Sequence, residues 1–326
     1  MSTISDTTSV LFDASVVPPL FAQPVLVAVD GDESSDAPLA VAAALQRERG
    51  ARPELLSVIR GFPHPVPAVA ARAAGGWDGV TRVAPRDIRE AAVRARLAAQ
   101  VGVDASWPVR IVDGASVDEI VAAIHRSGAH LVVTGLRPHG RLNRVLRRET
   151  TVRLIRRAGI PVLAVTPALR GLPCRAVVGL DFGRGSVRAA RIALQLLADD
   201  ATLVLAHAAP NLYFGATEEG EGRRFLQTEG VAGALARVRH ELSGLANVRI
   251  ETVALDGDAA GELLALADRC GAELLAVGSH RHPPIDRLLL GSVTTTILRA
   301  ARCSVLVAPP SSFAAEAPAH EAPAPR

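Results

Sequence analysis

Short apolar runs rich in Val, Leu and Ala recur along the chain, each followed by a longer stretch with apolar residues at helical steps. PVLVAVD ends at Asp30 and CRAVVGLD ends at Asp181. Five residues after each Asp comes a serine, Ser35 and Ser186, and then an Ala/Leu-rich stretch. Further on, VRIVDGASVDEIVAAIHRSGAHLVVTG, ending at Gly135, answers IETVALDGDAAGELLALADRCGAELLAVG, ending at Gly278. The closing runs IPVLAV and CSVLVA also align. Leu235, Val238, Leu242 and Leu245 fall at steps of three and four and predict one buried helical stripe.

The chain is therefore one pattern written twice. Strands that are apolar on both faces and alternate with helices predict a parallel, right-handed doubly wound sheet. The expected fold is α/β: two tandem doubly wound domains, each a five-stranded mostly parallel sheet with about four helices. The predicted boundaries are an N-terminal extension over 1–23, a first domain over 24–167, a linker over 168–173, a second domain over 174–309 and a disordered tail over 310–326. The first copy carries about eight extra residues, assigned to the Pro- and Gly-rich stretch from Pro63 to Gly79.

Composition narrows the chemistry. The sequence has no lysine, so all 36 basic residues are Arg. A Walker-type phosphate loop and Schiff-base catalysis both need a lysine, and both are excluded. A formal charge of +3 is too mild to imply nucleic acid, and no aromatic residue interleaves Arg137, Arg141, Arg144 and Arg148 for base stacking, so those arginines are expected on a solvated face. Cys174, Cys270 and Cys303 lack metal-ligand spacing and read as buried reduced thiols. No signal peptide or membrane-spanning run is found, and a cytoplasmic location is expected.

The candidate site follows from topology. In an open α/β sheet, ligands bind at the carboxyl ends of the strands where the strand order reverses. Asp181 at the end of the second copy's first strand, Gly278 at the end of its fourth and Gly291-Ser292 at the start of its last helix are expected to meet there. A helix N-terminus offers backbone N–H donors and positive dipole to a phosphate. Asp181 suits a ribose or an adenine amine. His207 reads as a satisfied polar residue at a strand end, and His280 and His282 lack an evident third metal ligand.

The segment VGSHRHPPIDRLLLGSVTTTILRAARCSVLVAPP resembles the closing segment of the universal stress protein family. In ATP-binding members this reads G-x-x-G, nine residues, then G and S or T. Here Gly278, Gly291, Ser292 and the loop length match, and Arg281 stands where the second glycine would be. Arg281 either adds a charge-assisted contact to phosphate or fills its space. In the first copy Gly135 is kept, while Pro138, Arg148 and Glu149 replace the rest, and a carboxylate at that helix start would repel phosphate.

The resemblance implies a stress-response module that binds ATP or a related adenine nucleotide through Asp181, Gly278, Arg281, Gly291 and Ser292 of the second domain. Mg would enter only as the nucleotide's counter-ion. A nucleotide-free interaction protein and a weak ATPase are the alternatives, since no catalytic base stands out. The resemblance also implies that the last strands pair, as an intramolecular pseudo-dimer, because an unpaired apolar edge invites aggregation. A homodimer is a further possible partner state, whereas nucleic acid and membrane are not expected.

Overall fold

The inner strands alternate their side chains between two apolar layers. In β1 (Pro24–Ala28) Val25 and Val27 enter one core and Leu26 the other. In β6 (Arg175–Gly179) Ala176 and Val178 enter the first and Val177 the second. Burial on both faces is the reason these runs are continuously apolar. The computed structural model describes residues 20–59, 85–101, 106–136, 143–208, 221–281 and 288–310, with the backbone alone for 85, 143–149, 221–229, 280–281 and 288–289.

The first half continues with α1 (Asp36–Arg49), β2 (Arg52–Ile59), α2 (Pro85–Val101), β3 (Val109–Asp113), α3 (Ser116–Ser127), β4 (Leu131–Gly135), α4 (Asn143–Ala158) and β5 (Val162–Val165). The second half, after β6, runs α5 (Arg184–Leu196), β7 (Thr202–Ala208), α6 (Glu221–Leu242), β8 (Arg249–Leu255), α7 (Ala259–Arg269) and β9 (Leu274–Gly278). It closes with a two-residue ladder of β10 (His280–Arg281) and β11 (Leu288–Leu289), then α8 (Ser292–Ala300) and β12 (Ser304–Ala308). The insertion between Pro63 and Gly79 and the tail beyond Pro310 lie outside the described residues.

The two halves form one sheet of ten strands, in the order β3-β2-β1-β4-β5-β12-β9-β6-β7-β8. Every neighbouring pair is parallel except β5 and β12. These run antiparallel, with Val305 opposite Ala164 and Val307 opposite Val162. The expected pseudo-dimer thus takes a definite form: the two apolar edges that each half would expose are paired with each other in the middle of the sheet. Helices α1, α2, α5 and α6 cover one face and α3, α4, α7 and α8 the other, and each core runs unbroken through both halves.

Polar groups close the seam. Ser304, fully buried, accepts from the Thr166 N–H at 3.1 Å. Arg49 of α1 donates to the Leu197 carbonyl at 2.6 Å and to Asp199 at 2.9 Å. The Leu20 N–H donates to Gln195 at 3.0 Å, and the Leu20 side chain is buried, so the end of the N-terminal extension packs onto the second half. Arg188 of α5 donates from Nη1 to the Pro309 carbonyl at 3.1 Å, and its buried Nε has no partner among the described residues.

Burial, and secondarily the positive charge of Arg188, hold the His130 imidazole below its ordinary pKa of 6.5. The sign is therefore fixed: the unfolded chain binds the His130 proton more tightly than the folded one. The stability it supports is full above pH 6.5 and is lost as the pH falls from there through the lower folded-state pKa. Urea midpoints at pH 7.5 and pH 5.5 are expected to differ more in the native chain than in His130→Gln.

Two sequence expectations fail locally. Leu235, Val238 and Leu242 are buried as predicted, but Leu245 is 63% exposed. The helix α6 ends at Leu242, so Leu245 lies in the following turn, where the helical period no longer governs its direction. The cysteines are also not all buried: Cys174 is exposed, and Cys270 and Cys303 are half-buried. Burial still pushes the Cys303 thiol up to about 11, so it is protonated at neutral pH.

Candidate functional site

In the second half the strand order reverses between β6 and β9: from β6 the chain steps outward to β7 and β8, then returns to β9 and β12. The carboxyl ends of β6 and β9 therefore flank the crevice where this topology places ligands. Asp181, Gly278, Gly291 and Ser292 are all brought to this end of the sheet.

Asp181 stands two residues beyond the end of β6, exposed, in the loop to α5. Its Oδ1 accepts from the Gly183 N–H at 2.9 Å and from the Ser186 hydroxyl at 2.5 Å. The Asp-to-Ser interval repeated in the sequence is thus a brace across the first turn of α5. In the first half Ser35 accepts instead from the Gly31 N–H at 3.0 Å.

Gly278 is the last residue of β9, and here the backbones touch. A Cβ at this position would lie 2.4 Å from the Ser186 nitrogen and 2.5 Å from the Gly185 carbonyl carbon. A Cβ on Gly185 would in turn lie 2.7 Å from the Ser279 oxygen. This pair of glycines lets the first turn of α5 lie directly on the end of β9. Sequence reasoning missed Gly185. Its signal was present in Gly183-Arg184-Gly185-Ser186, because two glycines opening a helix are costly unless something approaches closely.

Gly291 is the N-cap residue of α8, with no capping side-chain hydrogen bond, and Ser292 is exposed in the first turn. Thr294, buried, donates to the Gly278 carbonyl at 3.1 Å and fixes this helix start against the end of β9. The Ser279 N–H donates to the Ala308 carbonyl at 2.9 Å, which anchors the same corner to β12. Neither Thr294 nor Ser279 was singled out in the sequence, since a lone Thr or Ser carries no motif. Arg281 pairs in β10 with Leu288 of β11, so its position is a hairpin strand, a conformation with no need for glycine. The Arg281 and His280 side chains, and all of His282, lie outside the described residues.

His207 and Phe182 complete this end of the sheet. His207, near the end of β7, is 9% exposed and places Nδ1 2.7 Å from the Leu180 carbonyl oxygen, the satisfied role expected of it. Phe182 packs on it with ring centroids 5.0 Å apart. Phe182 has φ +59°, a left-handed backbone that costs a non-glycine residue roughly 1–2 kcal/mol. Its place in the first half is taken by Gly31, at φ +73°.

The first half departs at the corresponding helix. Glu149 does not stand at a helix start, as its alignment with Ser292 suggested. The helix α4 begins at Asn143, and Arg148 and Glu149 lie inside it. The run from Asn143 has no glycine or proline to stop it, and Leu and Arg extend it backward, whereas Gly291 delays the start of α8. Pro138, Arg137 and Arg141 lie outside the described residues, as do the side chains of Arg144 and Arg148. A cleft of about 210 Å³ lined by Thr166, Leu169, Asp268, Glu273, Arg302 and Cys303 opens at the amino ends of β9 and β12, away from this site.

A doubly wound sheet, written twice and joined edge to edge, with a helix start set at one switch point, defines a class of paired α/β modules. The universal stress protein family model matches residues 22–166 and again 175–309, and the chain belongs to that family. It is 37% identical over 60 residues to a universal stress protein of Methanocaldococcus jannaschii, a match covering 18% of this chain and 35% of that one. A universal stress protein structure from Archaeoglobus fulgidus has a TM-score of 0.57 at 17% identity, covering 88% of this chain and 98% of its own. A Pseudomonas aeruginosa protein of unknown function has a TM-score of 0.51 at 17% identity, covering 89% and 94%. No described helix is long and apolar enough to cross a membrane.

Proposed function

We propose that this chain is a stress-response binding module that takes ATP or a related adenine nucleotide in its second half, with the first half as its structural partner. The supporting observation is the start of α8: Gly291 is its N-cap, and the buried Thr294 donates to the Gly278 carbonyl at 3.1 Å, which holds that turn beside the end of β9 at the switch point. Backbone donors and helix dipole there suit phosphate, Ser292 adds a hydroxyl, and Asp181 lies across the crevice for the ribose. The first half presents helix interior at the matching position, which leaves no donors to offer. Binding rather than turnover is proposed, because the carboxylate described at the site, Asp181, is engaged in bracing the first turn of α5.

A second reading, a nucleotide-free interaction protein, is favoured by one observation. Asp181 and Gly278 already have structural tasks, bracing α5 and admitting its close approach. Calorimetry with ATP on the intact chain separates the two. Separated halves would expose β5 and β12 as apolar edges and are not a suitable material. Binding is expected in the native chain and in Arg148→Ala, and to be lost in Gly291→Val through steric exclusion at the helix start. Nucleotide released on denaturing the purified protein would be an independent sign. ATP bound equally well by Gly291→Val would place the ligand elsewhere, and no binding to the native chain would leave the interaction protein.

A further inference from the structure

The three cysteines of the chain lie far apart in sequence and come together at one corner of the sheet. Cys303 immediately precedes β12, Cys174 immediately precedes β6, and Cys270 caps the end of α7 before β9. β12, β9 and β6 are parallel neighbours in that order, so their amino ends meet. Glu273 sits between them: its side chain accepts from the Cys174 N–H at 2.5 Å, and its carbonyl from the Ser304 N–H at 3.0 Å.

Two of the three share one layer. Cys303 packs on the core beneath α7 and α8, and so does Cys270. The Arg302 side chain, next to Cys303, reaches Asp268 in the last turn of α7 at 3.5 Å. The cleft of about 210 Å³ opens where these segments meet, lined by Ala267, Asp268 and Gly271 of one and by Arg302 and Cys303 of the other. Both thiols are half-buried, whereas Cys174 is exposed on the far side of Glu273. Burial is the largest cause that raises the Cys303 thiol, and the charges of Asp268 and Cys270 add to it, so the two sulfurs stand within electrostatic reach. The repeat shows that the fold needs neither sulfur. HRSGAH answers DRCGAE and IPVLAV answers CSVLVA, so Ser127 stands for Cys270 and Ile160 for Cys303 in the first half. The pair is present together in one half and absent together from the other.

We propose that Cys270 and Cys303 are a redox pair, closed to a disulfide by a hydroperoxide and reopened by a dithiol. Cys303 is protonated at neutral pH, and the thiolate is the nucleophile, so Cys270 is oxidised first. Its sulfur attacks the peroxide, the O–O bond breaks, and the thiol proton goes to the departing oxygen. Water or an alcohol departs, and a sulfenic acid remains. The Cys303 sulfur then displaces the hydroxyl, which leaves as water with the Cys303 proton as the S–S bond forms. The two thiols give up two electrons, and the peroxide takes them. The ring so closed contains β9, α8 and the candidate phosphate segment, and oxidation fastens the end of α7 to the start of the seam strand. This does not depend on which ligand the site takes.

The test treats the folded native chain with hydrogen peroxide, blocks the remaining thiols and digests the protein with trypsin without reduction. Trypsin cuts after Arg269 and Arg302, so the two cysteines fall at the starts of separate peptides. A linked pair of these peptides is expected, and dithiothreitol should separate it. The oxidised chain should gain about 1 M in urea midpoint, the effect of closing a loop of this length. Cys174→Ser should keep both the link and the gain, and Cys270→Ser, which installs the first-half residue, should lose both. Separate sulfinic acids on Cys270 and Cys303, or cross-links made through Cys174, would overturn the proposal. So would a link that forms only in urea, because a disulfide needs Cα atoms within about 7 Å and the folded chain would then hold them apart.

Discussion

Leu306→Asp is expected to unfold both halves of the protein together. Leu306 is fully buried in β12, between β5 of the first half and β9 of its own. An unpaired carboxylate there has no partner and no water, a loss of about 3–5 kcal/mol in buried-charge experiments. That is a large part of the total stability of an ordinary domain, about 5–15 kcal/mol. The distinctive expectation is where the damage registers. Trp107 lies in the first half, buried, with its indole N–H donating to Gln46 at 2.9 Å. Because each core runs unbroken through both halves, Trp107 fluorescence in a Trp77→Phe background should report unfolding caused by a substitution in the second. Unchanged Trp107 emission in Leu306→Asp, with second-half signals lost, would show that the halves fold independently.

Gly278→Ala is expected to be the most damaging single methyl group at the candidate site. The new Cβ would meet backbone at 2.4 and 2.5 Å, not the movable end of a side chain, so α5 must lift from β9. Overpacking of this kind costs roughly 1–3 kcal/mol and sometimes more. The same change at Gly135 meets one carbonyl oxygen at 2.9 Å and should cost less. Urea denaturation of the two variants without any ligand gives the comparison. Equal losses, or no loss at Gly278, would mean that this glycine serves a ligand and not the packing of α5.

Much of the fold was legible in the chain before its structure. Twice-repeated runs such as PVLVAVD and CRAVVGLD, apolar through VLVAV and AVVGL, require a sheet covered on both sides, and intervening helices require it to be parallel. The apolar residues of IPVLAV and CSVLVA required a partner for each last strand. The resemblance made each the other's partner, and the structure gives the direction and register: the antiparallel joining of β5 to β12 makes one ten-stranded sheet of two domains. The site was legible only in outline. Gly278, Gly291 and Ser292 stood out as a spaced motif, but the same spacing gave no sign that Gly278 is compelled by the approach of α5.

Sequence by itself determined the repeat, the order of elements and the position of the switch point, because these follow from local periodicity and from the faces each element must bury. It also ruled out lysine chemistry outright. Tertiary structure alone decided where helices start and what fills the space between elements. Glu149 became helix interior because nothing in its neighbourhood stops α4, while Leu245 fell outside α6 and into solvent. Phe182 took a backbone conformation that its residue type disfavours, held by a ring buried against His207. Such outcomes depend on contacts between residues distant along the chain, and a pattern read along one strand or helix at a time does not contain them.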